Sequence, residues 1–109
     1  MNTTKLIEEI SKARFVAILN KYKKKIVASP HALDHLSDAQ RKVYKESDLI
    51  NTLTKESPRG IGLQRNGRYA AFFRRKQGFI RIIFEIKHPK LEIITFTNPE
   101  NMPNLKKLK

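Results

Sequence analysis

The sequence predicts an α+β fold in which N-terminal helices pack on one face of a four-stranded antiparallel meander sheet. Apolar residues recur at helical spacing in the first half of the chain, and from Ile61 onward they alternate with polar ones. Turn signals such as Asn66-Gly67 interrupt that alternation at short intervals. The 109 residues suit a single domain over 1–109, divided into a helical half (1–57), an antiparallel sheet (61–97) and a basic tail (98–109).

The helical half is expected to hold a helix over residues 4–26, as one long helix or two short ones. Its early glutamates and terminal lysines suit the helix dipole. A short extended segment is also expected over residues 26–28, because Pro30 keeps Ser29 away from helical backbone angles. A second helix then begins near His31, pauses around residues 41–46 and resumes at Ser47.

Four strands are predicted over residues 61–65, 68–74, 79–87 and 91–97, with sequence neighbours pairing in space. The simplest registers place Arg65 opposite Arg68, Arg74 opposite Phe79, and Ile86 opposite Leu91. One face is then nearly all apolar, includes Thr95, and packs on the helices. The other face mixes charged with apolar side chains: Arg65, Arg68, Arg74, Arg81, Glu85, Glu92, Leu63, Phe72, Ile83, Ile94 and Phe96. A slip of one residue at a turn would exchange the faces of a strand.

The net charge of +13 favours a polyanionic partner, either nucleic acid or anionic lipid. An exposed sheet face that combines guanidinium groups with Phe72 and Phe96 suits RNA, whose phosphates take the charge and whose bases stack on aromatic rings. The residues expected to contact RNA are Arg65, Arg68, Arg75, Lys76, Lys45 and Phe72. The alternative is a solvated face on which Glu85 and Glu92 neutralise two of the arginines.

The sequence lacks the residues that several kinds of catalytic or binding site require. The chain has no Cys, which excludes disulfides, thiolate nucleophiles and Cys-type zinc sites. Its acidic residues are scattered, so the clustered carboxylates of metal-dependent nucleases are not seen, and no nucleotide-binding glycine motif is present. The longest early apolar stretch, residues 15–19, is far too short for a membrane span, so a cytoplasmic protein without a membrane partner is expected.

Metal-free RNA cleavage needs only His, Lys, Arg and hydroxyl groups, in which the chain is rich. His31 and His35 are four residues apart and would share a helical face, with Arg41 and Lys45 further along. Either imidazole could act as general acid or base, since it titrates near neutrality. The alternatives are a packed His35 with an exposed His31, or a zinc site formed with His88, which the absence of Cys disfavours.

The order of these features resembles the barnase/EndoU/colicin/RelE-like ribonuclease superfamily, and most of all its phage-associated members. The likeness covers residues 26–97 and rests on short motifs in this order: Ser29-Pro30-His31-Ala32-Leu33-Asp34-His35-Leu36, Arg41, Asp48-Leu49-Ile50 before Ser57-Pro58, Gly67-Arg68-Tyr69-Ala70-Ala71-Phe72, and Ile93-Ile94-Thr95-Phe96.

The resemblance implies a small toxin-type ribonuclease that cuts tRNA or mRNA without metal or cofactor. It assigns His35 as the helix histidine, Arg41 as the following cation and Thr95 as the strand hydroxyl, with Arg74 and Arg81 at the phosphate. The simplest register puts Thr95 on the core face, so a bulge changes the parity, or Thr95 is structural, or the site lies at the strand end.

An acidic antitoxin or immunity protein is the expected protein partner, because the basic surface attracts an acidic segment. Two other classes stay open. One is a non-catalytic nucleic-acid-binding or ribosome-associated protein on the same fold, and the other is a protein-interaction module.

Overall fold

The computed structural model describes residues 3–34 and 45–107, and in these ranges the chain is α+β with two α-helices and a six-stranded mixed sheet. The helices are α1 (Lys12–Lys21) and α2 (Glu46–Lys55), and a short 3₁₀ helix spans Leu105–Lys107. The strands are β1 (Leu6–Glu9), β2 (Ile26–Ala28), β3 (Gly60–Gln64), β4 (Tyr69–Arg74), β5 (Phe79–Lys87) and β6 (Lys90–Thr97).

The sheet order is β1-β3-β4-β5-β6-β2. Strands β3 to β6 pair antiparallel in sequence order, β1 pairs antiparallel with β3, and β2 pairs parallel with β6. The predicted four-stranded meander preceded only by helices is therefore wrong. Two short segments of the N-terminal half add a strand to each edge of the meander, where unpaired backbone groups can accept a partner.

The first added strand, β1, lies inside the predicted helix over residues 4–26. The helix begins only at Lys12, because the Ser11 side chain accepts a hydrogen bond from the Arg14 amide at 3.1 Å and caps the first turn. The Leu6 side chain lies against Gly62, where an added Cβ would stand 2.9 Å from it. A segment of four residues is too short for its periodicity to separate a strand from a helix.

The second added strand, β2, corresponds to the extended piece expected over residues 26–28. It pairs with β6 from Ile26–Leu91 to Ala28–Ile93. Residues 31–34, where the second helix was expected to begin, form a turn, and residues 35–44 lie outside the described ranges. The resumed helix is α2, in which Leu49 and Leu53 are buried.

The main hydrophobic core lies between the helices and one face of the sheet. The Phe15 ring of α1 lies 6.0 Å from the Phe84 ring, and the Tyr69 ring stacks on Phe84 at 5.2 Å. A smaller cluster of Ala70, Phe72 and Ile83 lies on the opposite face, against Leu6 and Met102. Each strand of the meander therefore has one apolar side buried under helices and one side that is only partly covered.

The predicted registers hold at two of the three turns. Arg74 lies opposite Phe79 and Ile86 opposite Leu91, as expected. At the first turn the register differs by one residue: Leu63 lies opposite Tyr69, and the Gln64 amide donates to the Arg68 carbonyl at 2.7 Å. Leu63 therefore packs on the main core instead of the opposite face.

The segment that the sequence analysis assigns to a basic tail packs against the fold up to residue 107. Leu105 is only 4% exposed and approaches Gly60, and the Phe79 amide donates to the Pro99 carbonyl at 2.9 Å. In the part of the chain that the structure describes, no helix is long and apolar enough to cross a membrane.

Candidate nucleic-acid interface

The sheet face turned away from the helices carries arginines from two neighbouring strands. Side chains alternate between faces along a strand, so Arg74 lies on the same side of β4 as Phe72, and Arg68, which directly precedes β4, continues that side. Arg81 of β5 lies directly opposite Phe72. This face, which we call the arginine face, therefore carries Arg68, Arg74 and Arg81 as the sequence predicts. Arg65 was also predicted for this face, but it follows the last residue of β3, and the register at the first turn differs by one residue, so that assignment is wrong.

A β-bulge in β6 decides which hydroxyl groups join those arginines. Ile83 lies opposite Thr95 and Phe84 opposite Ile93, so Ile94 is an extra residue in β6. Thr95, on the same side as Ile83, therefore belongs to the arginine face, and Thr97 lies directly opposite Arg81. The simple register had Thr95 on the core face and Phe96 on the arginine face. Both assignments are wrong, because the extra residue inverts the alternation from residue 95 onward.

Arg81 lies at the centre of this face with an incompletely satisfied guanidinium group. Its Cζ is 5.7 Å from the centroid of the Phe72 ring. Its Nε is buried without a hydrogen-bond partner, and no described carboxylate pairs with the side chain. Burial lowers the pKa of Arg81. The group still carries its positive charge, because arginine titrates far above neutral pH.

Two shallow depressions meet at Arg81. One, of about 220 Å³, is lined by Thr4, Gln64, Asn66, Arg68, Arg81, Ile83, Thr95 and Thr97. The other, of about 370 Å³, is lined by Thr4, Lys5, Leu6, Phe72, Arg81, Pro99, Asn101 and Pro103. We call them together the Arg81 groove. Its described lining contains three cations, several hydroxyl and amide groups, and no carboxylate.

The acidic residues of the arginine face are paired next to the groove. The Arg68 Nε donates to Glu85 at 2.8 Å, and the Lys87 ammonium donates to Glu92 at 2.6 Å. Glu85 and Glu92 lie directly opposite each other. The hydrogen bond from Lys87 lowers the pKa of Glu92, which keeps that carboxylate ionised. These two pairs form a neutral row, so the unbalanced charge of this face lies at Arg81 and Arg74.

The other predicted RNA-contacting cations take different positions. Arg75 holds both carboxylate oxygens of Glu56, at 2.7 and 3.1 Å, and so ties the β4–β5 turn to α2. Arg74 lies over the Phe79 ring at 5.1 Å. Arg65 and Lys76 are exposed outside the groove. Lys45 precedes α2, where its amide donates to Asp48 at 2.9 Å.

Phe72 is not available for base stacking. It is 1% exposed, and Phe96 is fully buried in the main core. The sequence shows aromatic residues in the strands, but the bulge turns the Phe96 ring into the main core, and Leu6 and Met102 cover the Phe72 ring on the arginine face. The accessible groups of this face are therefore cations and hydroxyl groups, and neither of these two rings.

The predicted histidines are not brought into the groove within the described ranges. His31 is exposed, and its Nδ1 lies 2.6 Å from Asp34. His88 contacts the Tyr22 hydroxyl at 3.3 Å. His35 and Arg41 lie outside the described residues. Among residues 3–34 and 45–107, no three His, Asp or Glu side chains are grouped as metal ligands.

Several groove residues were missed in the sequence. Thr4 and Lys5 were assigned to a helix, and nothing in their local pattern shows that they flank the sheet. Gln64 and Thr97 did carry a signal, because each is a polar residue within an otherwise apolar alternation. Gln64 is only 2% exposed, which is unusual for its type.

No protein-family model matches the chain, and neither a curated protein nor a solved structure shows significant similarity to it. The resemblance to the barnase/EndoU/colicin/RelE-like superfamily therefore stays a prediction from short motifs.

Proposed function

We propose that this protein binds RNA through the Arg81 groove. The observation that supports this most is the Arg81 guanidinium group, which has no described carboxylate partner and lies in a depression lined by hydroxyl and amide groups. A phosphate oxygen is well suited to accept from a guanidinium group, and its charge would balance that of Arg81.

RNA fits the groove better than duplex DNA. The groove is a shallow feature of a sheet face, with no described helix or paired strands projecting from it to enter a major groove. Thr95, Thr97 and Asn66 offer donors and acceptors at which a ribose 2′-hydroxyl can bind. Single-stranded RNA exposes both its phosphates and its 2′-hydroxyls to such a surface.

Metal-independent cleavage of that RNA is the second part of the proposal. It is favoured by the bulge, which puts Thr95 and Arg81 at the same depression. A base removes the 2′-hydroxyl proton, the oxygen attacks the adjacent phosphorus, and the departing 5′-oxygen takes a proton. The products are a 2′,3′-cyclic phosphate and a 5′-hydroxyl. Arg81 would stabilise the charge on the phosphorane, with His35 as the proton-transferring group.

A toxin-type role would add an acidic antitoxin or immunity protein that covers the arginine face. The alternative proposal is a binding or ribosome-associated protein that uses the groove without cleaving RNA.

Incubation of the purified chain with tRNA and total RNA in excess EDTA separates these proposals. A ribonuclease yields discrete fragments ending in 2′,3′-cyclic phosphate, and Arg81→Ala and His35→Ala abolish them. Intact RNA that is retained in a salt-sensitive way, and released by Arg81→Ala, supports the binding protein alone. Intact RNA with equal retention of the wild type and Arg81→Ala contradicts a role for the groove.

A further inference from the structure

A second cationic site lies where α1 ends. Lys21, Lys23, Lys24 and Lys25 surround a depression of about 420 Å³ that is completed by Asn20, Tyr22, His88 and Pro89. We call it the lysine pocket. All four lysines are exposed, and the described part of the chain places no carboxylate in its lining and no ion pair on any of them.

The backbone beneath these lysines is held in place. The Tyr22 side chain is only 6% exposed, its hydroxyl lies 3.3 Å from His88 Nδ1, and the two rings meet edge to face at 6.0 Å. The Lys25 amide donates to the Tyr22 carbonyl at 2.8 Å, and the Leu91 amide donates to the Lys25 carbonyl at 3.0 Å. The segment is therefore fixed to the β5–β6 turn, and the lysines extend from an ordered frame.

The helix dipole accounts for only one of these charges. A cation in the last turn of a helix is favourable, and the effect falls off within that turn. Lys21 is in the last turn of α1, whereas Lys23, Lys24 and Lys25 follow the C-cap residue Tyr22. Three adjacent ammonium groups repel one another. A polyanion that binds all three would neutralise their charge, which no described carboxylate of the folded chain does.

We infer that the lysine pocket is a second phosphate-binding site, which holds the backbone of the same RNA strand that occupies the Arg81 groove. This inference rests on the proposed function. Flexible ammonium groups bind phosphate as point charges and read no sequence, which suits an anchoring contact.

Along β5 and the turn that follows it, the neutral row formed by Arg68–Glu85 and Lys87–Glu92 lies between Arg81 and the pocket residue His88. Lys87 is the sixth residue after Arg81, which corresponds to about 20 Å along the strand. Exposed Lys90 continues the path around the turn. A strand that reaches both sites binds more tightly than one that reaches only the groove, because the second contact becomes intramolecular.

The test compares oligonucleotides of about 3 and about 30 nucleotides of single-stranded RNA, below and above the length that spans both sites. The variant is Lys23→Gln/Lys24→Gln/Lys25→Gln. The matched control is Lys55→Gln/Lys106→Gln/Lys107→Gln, which removes the same charge from exposed positions elsewhere. Arg81→Ala reports on the groove, and circular dichroism checks that each variant folds.

We expect the pocket variant to lose about tenfold in affinity for the long RNA and none for the short one. Its salt slope with the long RNA should fall by about 2, the value for three phosphates of a single strand. The control triple variant should change neither quantity beyond twofold.

The results distinguish failure of the lysine pocket from failure of the proposed function. Unchanged affinity for the long RNA in the pocket variant, with a loss in Arg81→Ala, overturns the lysine pocket and leaves the groove. An equal loss in the control variant also overturns it, as a general charge effect. Loss in the pocket variant with none in Arg81→Ala overturns the proposed function instead. Binding to phosphatidylserine vesicles that only the pocket variant loses, with RNA binding intact, assigns the pocket to lipid. Failure of the wild-type chain to bind either the short or the long RNA overturns both proposals.

Discussion

Arg81 and Phe72 lie directly opposite each other on neighbouring strands, with the guanidinium carbon 5.7 Å from the ring centroid. The ring is 1% exposed and shields one side of the cation from water. The Arg81 side chain is thereby held over an apolar surface and not beside a carboxylate. The neighbouring glutamates are already paired with Arg68 and Lys87. This arrangement makes Arg81 the first residue to test.

Arg81→Ala should weaken RNA binding and lower the slope of log affinity against log salt by about 1, because one phosphate contact is lost. The measurement is a salt titration by fluorescence anisotropy. Arg59→Ala is the matched control, since Arg59 is exposed and lines a different depression, beside Lys12 and Pro58. Equal losses in the two variants would show that only net charge matters.

Thr95→Val should lower RNA cleavage by about 10²-fold or more if the hydroxyl acts on the reacting phosphate, while affinity changes little. The substitution keeps the shape of the side chain, so the free energy of unfolding should stay within about 0.5 kcal/mol of wild type. Single-turnover cleavage together with urea unfolding measures both. Thr54→Val on α2 is the control, because that hydroxyl donates only to the Ile50 carbonyl. Full activity in Thr95→Val would exclude a role for the hydroxyl.

Glu56→Gln should reduce the free energy of unfolding at neutral pH by about 0.5 to 1 kcal/mol, a modest value because both partners are partly solvated. The hydrogen bond from Arg75 lowers the pKa of Glu56 below its ordinary value of 4.5.

The sign of the pH dependence follows from that shift. The stabilisation is fully present above pH 4.5 and disappears as the pH falls through the lowered pKa of the folded state. The wild type and Glu56→Gln should therefore converge in stability in acid. Urea unfolding from neutral to acidic pH measures this, with Glu9→Gln as the control. A constant difference at all pH values would contradict the ion pair.

Gly78→Ala should destabilise the fold more than Gly67→Ala. Both glycines have positive φ, 81° and 87°, which costs an alanine about 1 to 2 kcal/mol. At Gly78 an added Cβ would also stand 2.5 Å from the Pro99 carbonyl oxygen, whereas nothing lies within 4 Å at Gly67. Gly78→Ala should cost more than about 2 kcal/mol in urea unfolding. Equal costs would show that the C-terminal segment does not pack against the turn.

The sequence predicts the four central strands and the arginine face because alternation and turn residues are local signals. Arg74 and Arg81 lie on that face, and the registers at the second and third turns hold. The edge strands β1 and β2 were harder to predict, since each has at most four residues and forms only because the meander offers an open edge.

The candidate site was less accessible to prediction than the strands. The orientation of its hydroxyl groups depends on a bulge that no residue of β6 predicts. Its lining includes Pro99 and Lys5, which come from segments distant in sequence. The predicted stacking residue Phe72 is buried because Leu6 and Met102 pack on that side of the sheet. Such coverage is a property of the assembled fold.

The extra residue in β6 determines which changes of strand length this surface tolerates. A strand with Ile94 but without the bulge would turn Phe96 outward and Thr95 and Thr97 toward the core. A strand without Ile94 would alternate strictly and still place Thr95 opposite Ile83, because the bulge only adds one residue between Ile93 and Thr95. The chemistry of the face is thus specified by the number of residues in β6 and by its register, as well as by residue identity. A related chain one residue shorter at this point would present the same hydroxyl groups from a regular strand.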